Sequence, residues 1–299
     1  MTSANTAAWF GMGHEYKTND LHEAFKAYDL DYKVSLRDLY VGEEMIKIPG
    51  RKVTVREDNN QVFGIVSDHY KVIQNDEALS FIESIIKESD MTLIRGGHTS
   101  WGSYYLIGEL PEVKVLGDSI KPHLIFQNSH DGSVPLKATI CMLRIFCQNQ
   151  FAYNFKSSPA TIKILHKGET ESKLDTAAQT LYDVKKYVET YQHTAENLTK
   201  VKVTPKKFNQ IVERYFKIPE GASQSVTDRI LARRESLISA YDTLDNSNLK
   251  DTMWGVINAY TDYSTHRQVK NKESLFLDSV NPNGDLSKFI DHVRGGDVI

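Results

Sequence analysis

Cysteine is scarce in this 299-residue chain, which has only Cys141 and Cys147. Their spacing is neither the close pair of a redox motif nor half of a zinc site, and on one strand they stand too far apart to bridge. Reduced core thiols in a cytoplasmic protein are the expectation. Long apolar runs are missing too: nothing approaches the roughly 18 residues that a membrane-spanning helix needs. The opening Met1 to Ala8 lacks the basic start and apolar run of a signal peptide. Membranes are therefore not expected among the partners. Positive charge is not in excess, since 36 Lys and Arg against 39 Asp and Glu leave a net charge of -3. Any nucleic-acid binding must then come from a local patch rather than a global field. There is no internal repeat and no low-complexity segment.

The usual signatures of catalysis are also lacking. Gly96-Gly97-His98 has neither the lysine nor the Ser/Thr of a phosphate-binding loop and does not open a helix. No Gly-x-Ser-x-Gly elbow occurs. Ser129, His130 and Asp131 are contiguous, but the members of a working triad converge in space, and adjacent residues on a strand or turn point in different directions. His98, His123, His130 and His166 show no His-x-His or His-Glu-x-x-His spacing. No catalytic residue, metal or cofactor is assigned. A metal-dependent enzyme acting on nucleic acid or nucleotides, with His130, Asp131 and His166 around the ion, is kept as the alternative, beside an anti-defence interaction protein.

What is present centres on Lys121 to Asn154. Two apolar runs, Leu124 to Gln127 and Leu136 to Cys147, flank Asp131-Gly132, which predicts an antiparallel hairpin with a tight turn and His130 near its tip. Ile140, Met142 and Phe146 alternate with Cys141, Leu143, Ile145 and Cys147, so the second strand is expected to be buried on both faces. Arg144 lies within it. A guanidinium there needs a carboxylate, carbonyls or a phosphate.

Upstream, Asp20-Leu21-His22-Glu23 opens a short capped helix over 20–29. Strands are expected at Tyr32 to Leu36, Leu39 to Val41, Lys52 to Arg56 and Val62 to Val66, the last two as a hairpin. A helix begins at Asn75, with Ala78, Leu79, Ile82, Ile85 and Ile86 at helical spacing. Strands resume at Thr92 to Arg95 and Ser103 to Leu110. Arg95, His98 and Trp101 could form a basic and aromatic rim for a base or phosphate, although a loop between strands is the commoner explanation. Downstream, 151–156 and 161–168 are extended and concentrate Lys156, Lys163, His166 and Lys167. From about Glu171 the chain is helical, with further helices after Thr204-Pro205, at Arg229 to Asp242 and at Met253 to Tyr263. Arg229, Arg233 and Arg234 read as a solvated face, because Asp228 and Glu235 flank them. The fold class is α+β: a curved, mainly antiparallel sheet with packed helices, organised as a strand-rich core over 1–168 and a helical region over 169–299.

Six ordered stretches together resemble a phage- and plasmid-borne family filed as a domain of unknown function. They are the N-terminal Trp9-Phe10-Gly11-Met12-Gly13, Tyr32 to Leu36, Gly64 to Asn75, Asn128 to Ser133, Arg144 to Asn149 and Trp254 to Tyr263. The pattern departs at Phe10, where a polar residue such as histidine is expected. The resemblance implies a protein of mobile DNA near replication or recombination. The order of elements is also compatible with phage single-strand annealing proteins of the RecT, Redβ, Erf and Sak types. On that reading the chain is a homo-oligomer that binds single-stranded DNA without making bonds, through Arg95, Lys121, His130, Lys137, Arg144, Lys156, Lys163, His166 and Lys167.

Overall fold

The computed structural model describes residues 13–144, 150–154, 158–163, 170–244, 249–267 and 281–293. Eleven strands and seven helices are described, and every strand pairing is antiparallel.

The helices after Asp20 and Thr204 start where their capping residues predict, whereas the one expected from Arg229 starts earlier, at Gln224. Asp20 Oδ1 accepts from the amides of His22 and Glu23 at the head of α1 (Leu21–Ala27), meeting the donors that the first helical turn leaves unpaired. At α2 (Asn75–Glu88), the Glu77 carboxylate accepts from the Gln74 amide. Thr204 Oγ1 accepts from Lys207 N, with Pro205 at the first position of α4 (Pro205–Tyr215). The other helices are α3 (Thr170–Lys200), α5 (Gln224–Asp242), α6 (Met253–His266) and α7 (Asp285–Val293).

The single sheet expected from the sequence is two. β2 (Val34–Val41), β3 (Ile46–Arg56) and β4 (Val62–Ser67) form a three-stranded meander. The larger sheet runs β1 (His14–Thr18), β5 (Thr92–His98), β6 (Ser103–Glu109), β8 (Asp118–Ser129), β9 (Lys137–Arg144) and β10 (Gln150–Phe151). β7 (Val113–Val115) adds to β8, and β11 (Thr161–Lys163) adds to β9. α2 intervenes between the meander and β5, so the two strand blocks have no continuous ladder. They meet at close range instead: a Cβ on Gly102, at φ +79, would strike the Phe63 ring.

The expected hairpin forms, with Gln127 opposite Lys137 and Ile120 opposite Arg144. Its turn is longer than a tight Asp-Gly corner, because the strands stop at Ser129 and restart at Lys137. Gly132 takes φ +80, and Asp131 Oδ1 accepts the Ser133 amide, the local role expected of an aspartate in a turn. Tyr70 Oη donates to Ser129 O, and Ser129 Oγ spans to Val134 O, which makes the corner a packed loop.

Cross-strand partners share a face and successive residues alternate. One face of the large sheet carries Leu106, Leu124, Phe126, Ala138, Ile140 and Met142, which join the main apolar cluster, and each described helix contributes to that cluster. The opposite face carries a second, smaller cluster: Tyr105, Ile107, Ile125, Cys141 and Leu143.

Candidate nucleic-acid interface

The second face also holds the sequence-predicted cations whose side chains are described. Arg95 lies opposite Ile107, Lys121 opposite Leu143, and Lys137 opposite Gln127. The strands thus gather them on one surface, yet they are not equally available. Arg95 is buried, with Nη2 on Glu15 Oε2 at 2.7 Å. Lys121 Nζ meets Glu109 Oε1 at 2.8 Å. A hydrogen bond from His123, then one from Lys121, holds the Glu109 carboxyl down at about 2 against the opposing pull of burial.

Lys137 differs. It is half-buried, and burial alone pushes its ammonium below the usual lysine range. No ion pair to a carboxylate accompanies it among the described residues. Register places Lys163 of β11 directly opposite. Beyond the other end of β11, Asp175, Asp183 and Lys186 line a 540 Å³ groove with Thr161. Trp101 projects from the β5–β6 turn at this same end of the sheet and is 42% exposed.

His130 does not project toward a ligand; its imidazole is fully buried. It stacks on Phe63 with centroids 5.8 Å apart, and Tyr32 and Tyr104 stand around it. Asn75 Nδ2 donates to Leu30 O, so Asn75 Oδ1 faces His130 Nε2 at 2.9 Å and requires the proton there. Nδ1 is then bare, and it has no hydrogen-bond partner. Burial pushes the His130 pKa down to about 4. The expectation of His130 as a strand contact is corrected by this packing, since the loop folds inward over Asn75 and Phe63.

Beside this box, Arg56 lies over the Tyr32 ring at 4.1 Å and reaches Asp29 and Asp58. His98 Nε2 meets Asp29 at 2.5 Å. Burial pushes the Asp29 carboxyl up, but hydrogen bonds from Arg56 and His98 outweigh it and hold the group below the usual range. Of the expected rim, His98 and Arg95 are therefore engaged with carboxylates, while Trp101 remains open. An adjoining 740 Å³ groove carries Asp31, Glu57, Asp58 and Asp76 together with His22, Lys26 and Lys33, and Lys33 and Arg56 already pair with Asp76 and Asp58.

Arg144 is paired through its backbone with Ile120; its side chain and that of Lys163 lie outside the described residues. So do Lys156, His166, Lys167 and Cys147. Among the described residues no three His, Cys, Asp or Glu side chains are grouped to hold a metal, and no helix is long and apolar enough to cross a membrane. Trp101 was visible in the sequence as an aromatic beside a glycine pair. The Arg56, Asp29 and Asp58 cluster was not, because its members come from different elements. A family model described as "Domain of unknown function (DUF932)" matches residues 62–283. No curated protein and no solved structure matches the chain.

Proposed function

Because the chain belongs to the DUF932 family, whose description carries no activity, we propose a function from the sheet itself: it binds single-stranded nucleic acid at the end of the sheet marked by Lys137, Lys163 and Trp101. The supporting observation is Lys137, a half-buried ammonium without a carboxylate among the described residues and opposite a second lysine. Like charges directly opposite on paired strands are destabilising, and a phosphate set between them removes that cost. β6 and β9 are two strands apart, so their backbones stand about 10 Å apart at the usual strand spacing, and β11 lies one strand further. An aromatic beside a cationic track suits a strand whose bases stack while its phosphates are held. On this reading the protein is a single-strand binding or annealing factor of a phage or plasmid, acting in recombination or replication as a cytoplasmic homo-oligomer.

The test is fluorescence anisotropy of labelled oligo-dT and duplex DNA at several salt concentrations, with mass photometry on the same samples. Binding is expected to prefer the single strand and to weaken steeply with salt. Replacing both Lys137→Glu and Lys163→Glu should weaken it at least tenfold. If each lysine holds one phosphate, the charge-neutral double variant, Lys137→Ala with Lys163→Ala, should flatten the log–log salt slope by about 1.4, at about 0.7 for each phosphate contact on a single strand. Salt-insensitive binding, or none at low salt, would remove the proposal.

A further inference from the structure

On the helical side of the molecule, α5 and α6 leave a groove of 620 Å³ whose charged lining is Arg229, Arg233, Asp262, His266 and Arg267. Arg229 and Arg233 are one turn apart on α5, so they share a face of the helix. Both are exposed, and neither makes an ion pair with a carboxylate among the described residues. Their neighbour Arg234 shows what a structural arginine looks like on the same helix: it donates to the carbonyls of Glu213 and Phe216 and closes the end of α4.

The negative end of α6 accounts for His266 and Arg267, and Arg267 Nη1 also meets Asp285 at 3.2 Å. That explanation does not reach Arg229 and Arg233, which stand in the body of α5. One carboxylate, Asp262, lines the groove, and it approaches His266 Nε2 at 3.8 Å. Between the helices, burial raises the Tyr263 phenol while Arg233, then Arg267, pulls it down, so both guanidiniums bear on that hydroxyl. Ser236 and Thr243 spend their protons on backbone carbonyls of α5. Ser239, also in the lining, makes no such bond among the described residues.

We propose that the groove between α5 and α6 is a binding site for a phosphate-bearing ligand of mononucleotide size, held by the paired forks of Arg229 and Arg233 with Ser239 and Tyr263 as further donors. Planar guanidinium forks match phosphate oxygens in pairs, and the volume lies within the range of small-ligand pockets. The same chemistry is available from a free nucleotide or from the phosphates of a polynucleotide. The site shares no residue with the lysine end of the sheet and does not rest on the function proposed for it.

The experiment is isothermal titration of the full chain with inorganic pyrophosphate, with ADP and with an oligo-dT lacking a terminal phosphate. Thermal shifts are followed in parallel. At least one of the three is expected to bind and raise Tm. For pyrophosphate and ADP, the double variant Arg229→Ala with Arg233→Ala should lose at least tenfold in affinity. Binding of ADP or pyrophosphate supports the site with a free phosphate ligand; oligo-dT binding that the arginine variant diminishes supports it with a polynucleotide. Arg229→Lys with Arg233→Lys keeps the charge and removes the forks, and should still cost at least threefold. No binding of any probe, or undiminished affinity in the arginine variants, overturns the proposal.

Discussion

Burial keeps the His130 imidazole neutral, and that neutrality has a pH signature. Its pKa is about 4 in the folded chain against an ordinary 6.5, so the unfolded chain takes up the proton first as pH falls. Stability therefore rises with pH across this window: the contribution is complete above 6.5 and is lost as pH falls toward 4. A shift of this size is worth about 3 kcal/mol. Replacing His130→Gln removes the titration while leaving an amide donor for Asn75 Oδ1. Chemical denaturation at pH 7.5 and 4.5 should show the wild type losing more stability than the variant between the two, with the gap shrinking toward acid. Equal losses would mean that the ring takes its proton in the folded state as readily as in the unfolded one. Lys137 follows the same physics with a different outcome: half-buried and without a counter-charge among the described residues, it keeps a reason to meet an anion.

Elements in this fold are held at their ends by side chains from elsewhere. The final carbonyls of α4 have no partner within the helix, and Arg234 of α5 takes those of Glu213 and Phe216. Replacing Arg234→Ala should cost about 1–2 kcal/mol, as for hydrogen bonds from a charged donor at a partly exposed site. Urea unfolding should show the midpoint falling with the slope unchanged. Such pairings explain where sequence reading stops. The starts of α1 and α4 were legible because Asp20 and Thr204-Pro205 act within one turn of themselves. The β8–β9 hairpin was legible because its two apolar runs are neighbours in the chain. β1 was hidden because its residues are exposed and its partner β5 lies far along the sequence. The site suffered most. Charge alone does not say which cation is already paired, so Arg95 and Lys121 looked as available as Lys137 until Glu15 and Glu109 were placed beside them.

At the scale of the whole molecule, the strand-rich and helical parts share one apolar cluster that runs from Ala24 and Phe126 to Phe208, Tyr260 and Val293. Polar contacts cross the same boundary. The Tyr187 phenol of α3 accepts from Tyr153 N and donates to Tyr153 O, both at 3.0 Å. Tyr153 Oη in turn donates to Asp291 of α7 at 3.2 Å. Removing either part would expose the apolar face of the other, so neither can loosen without cost to its neighbour. Unfolding is accordingly expected to be one transition. Trp254, only 4% exposed in α6, reports on the helical part, and hydrogen exchange of β6 and β8 amides reports on the sheet. The loss of Trp254 signal and the loss of strand protection should share a single urea midpoint within error. Two separated midpoints would instead place a domain boundary near residue 168, and the cluster across it would then be an interface between independently folding units. Under the proposed function, the outcome decides whether ligands at the sheet end and in the arginine groove can be coupled through the fold itself.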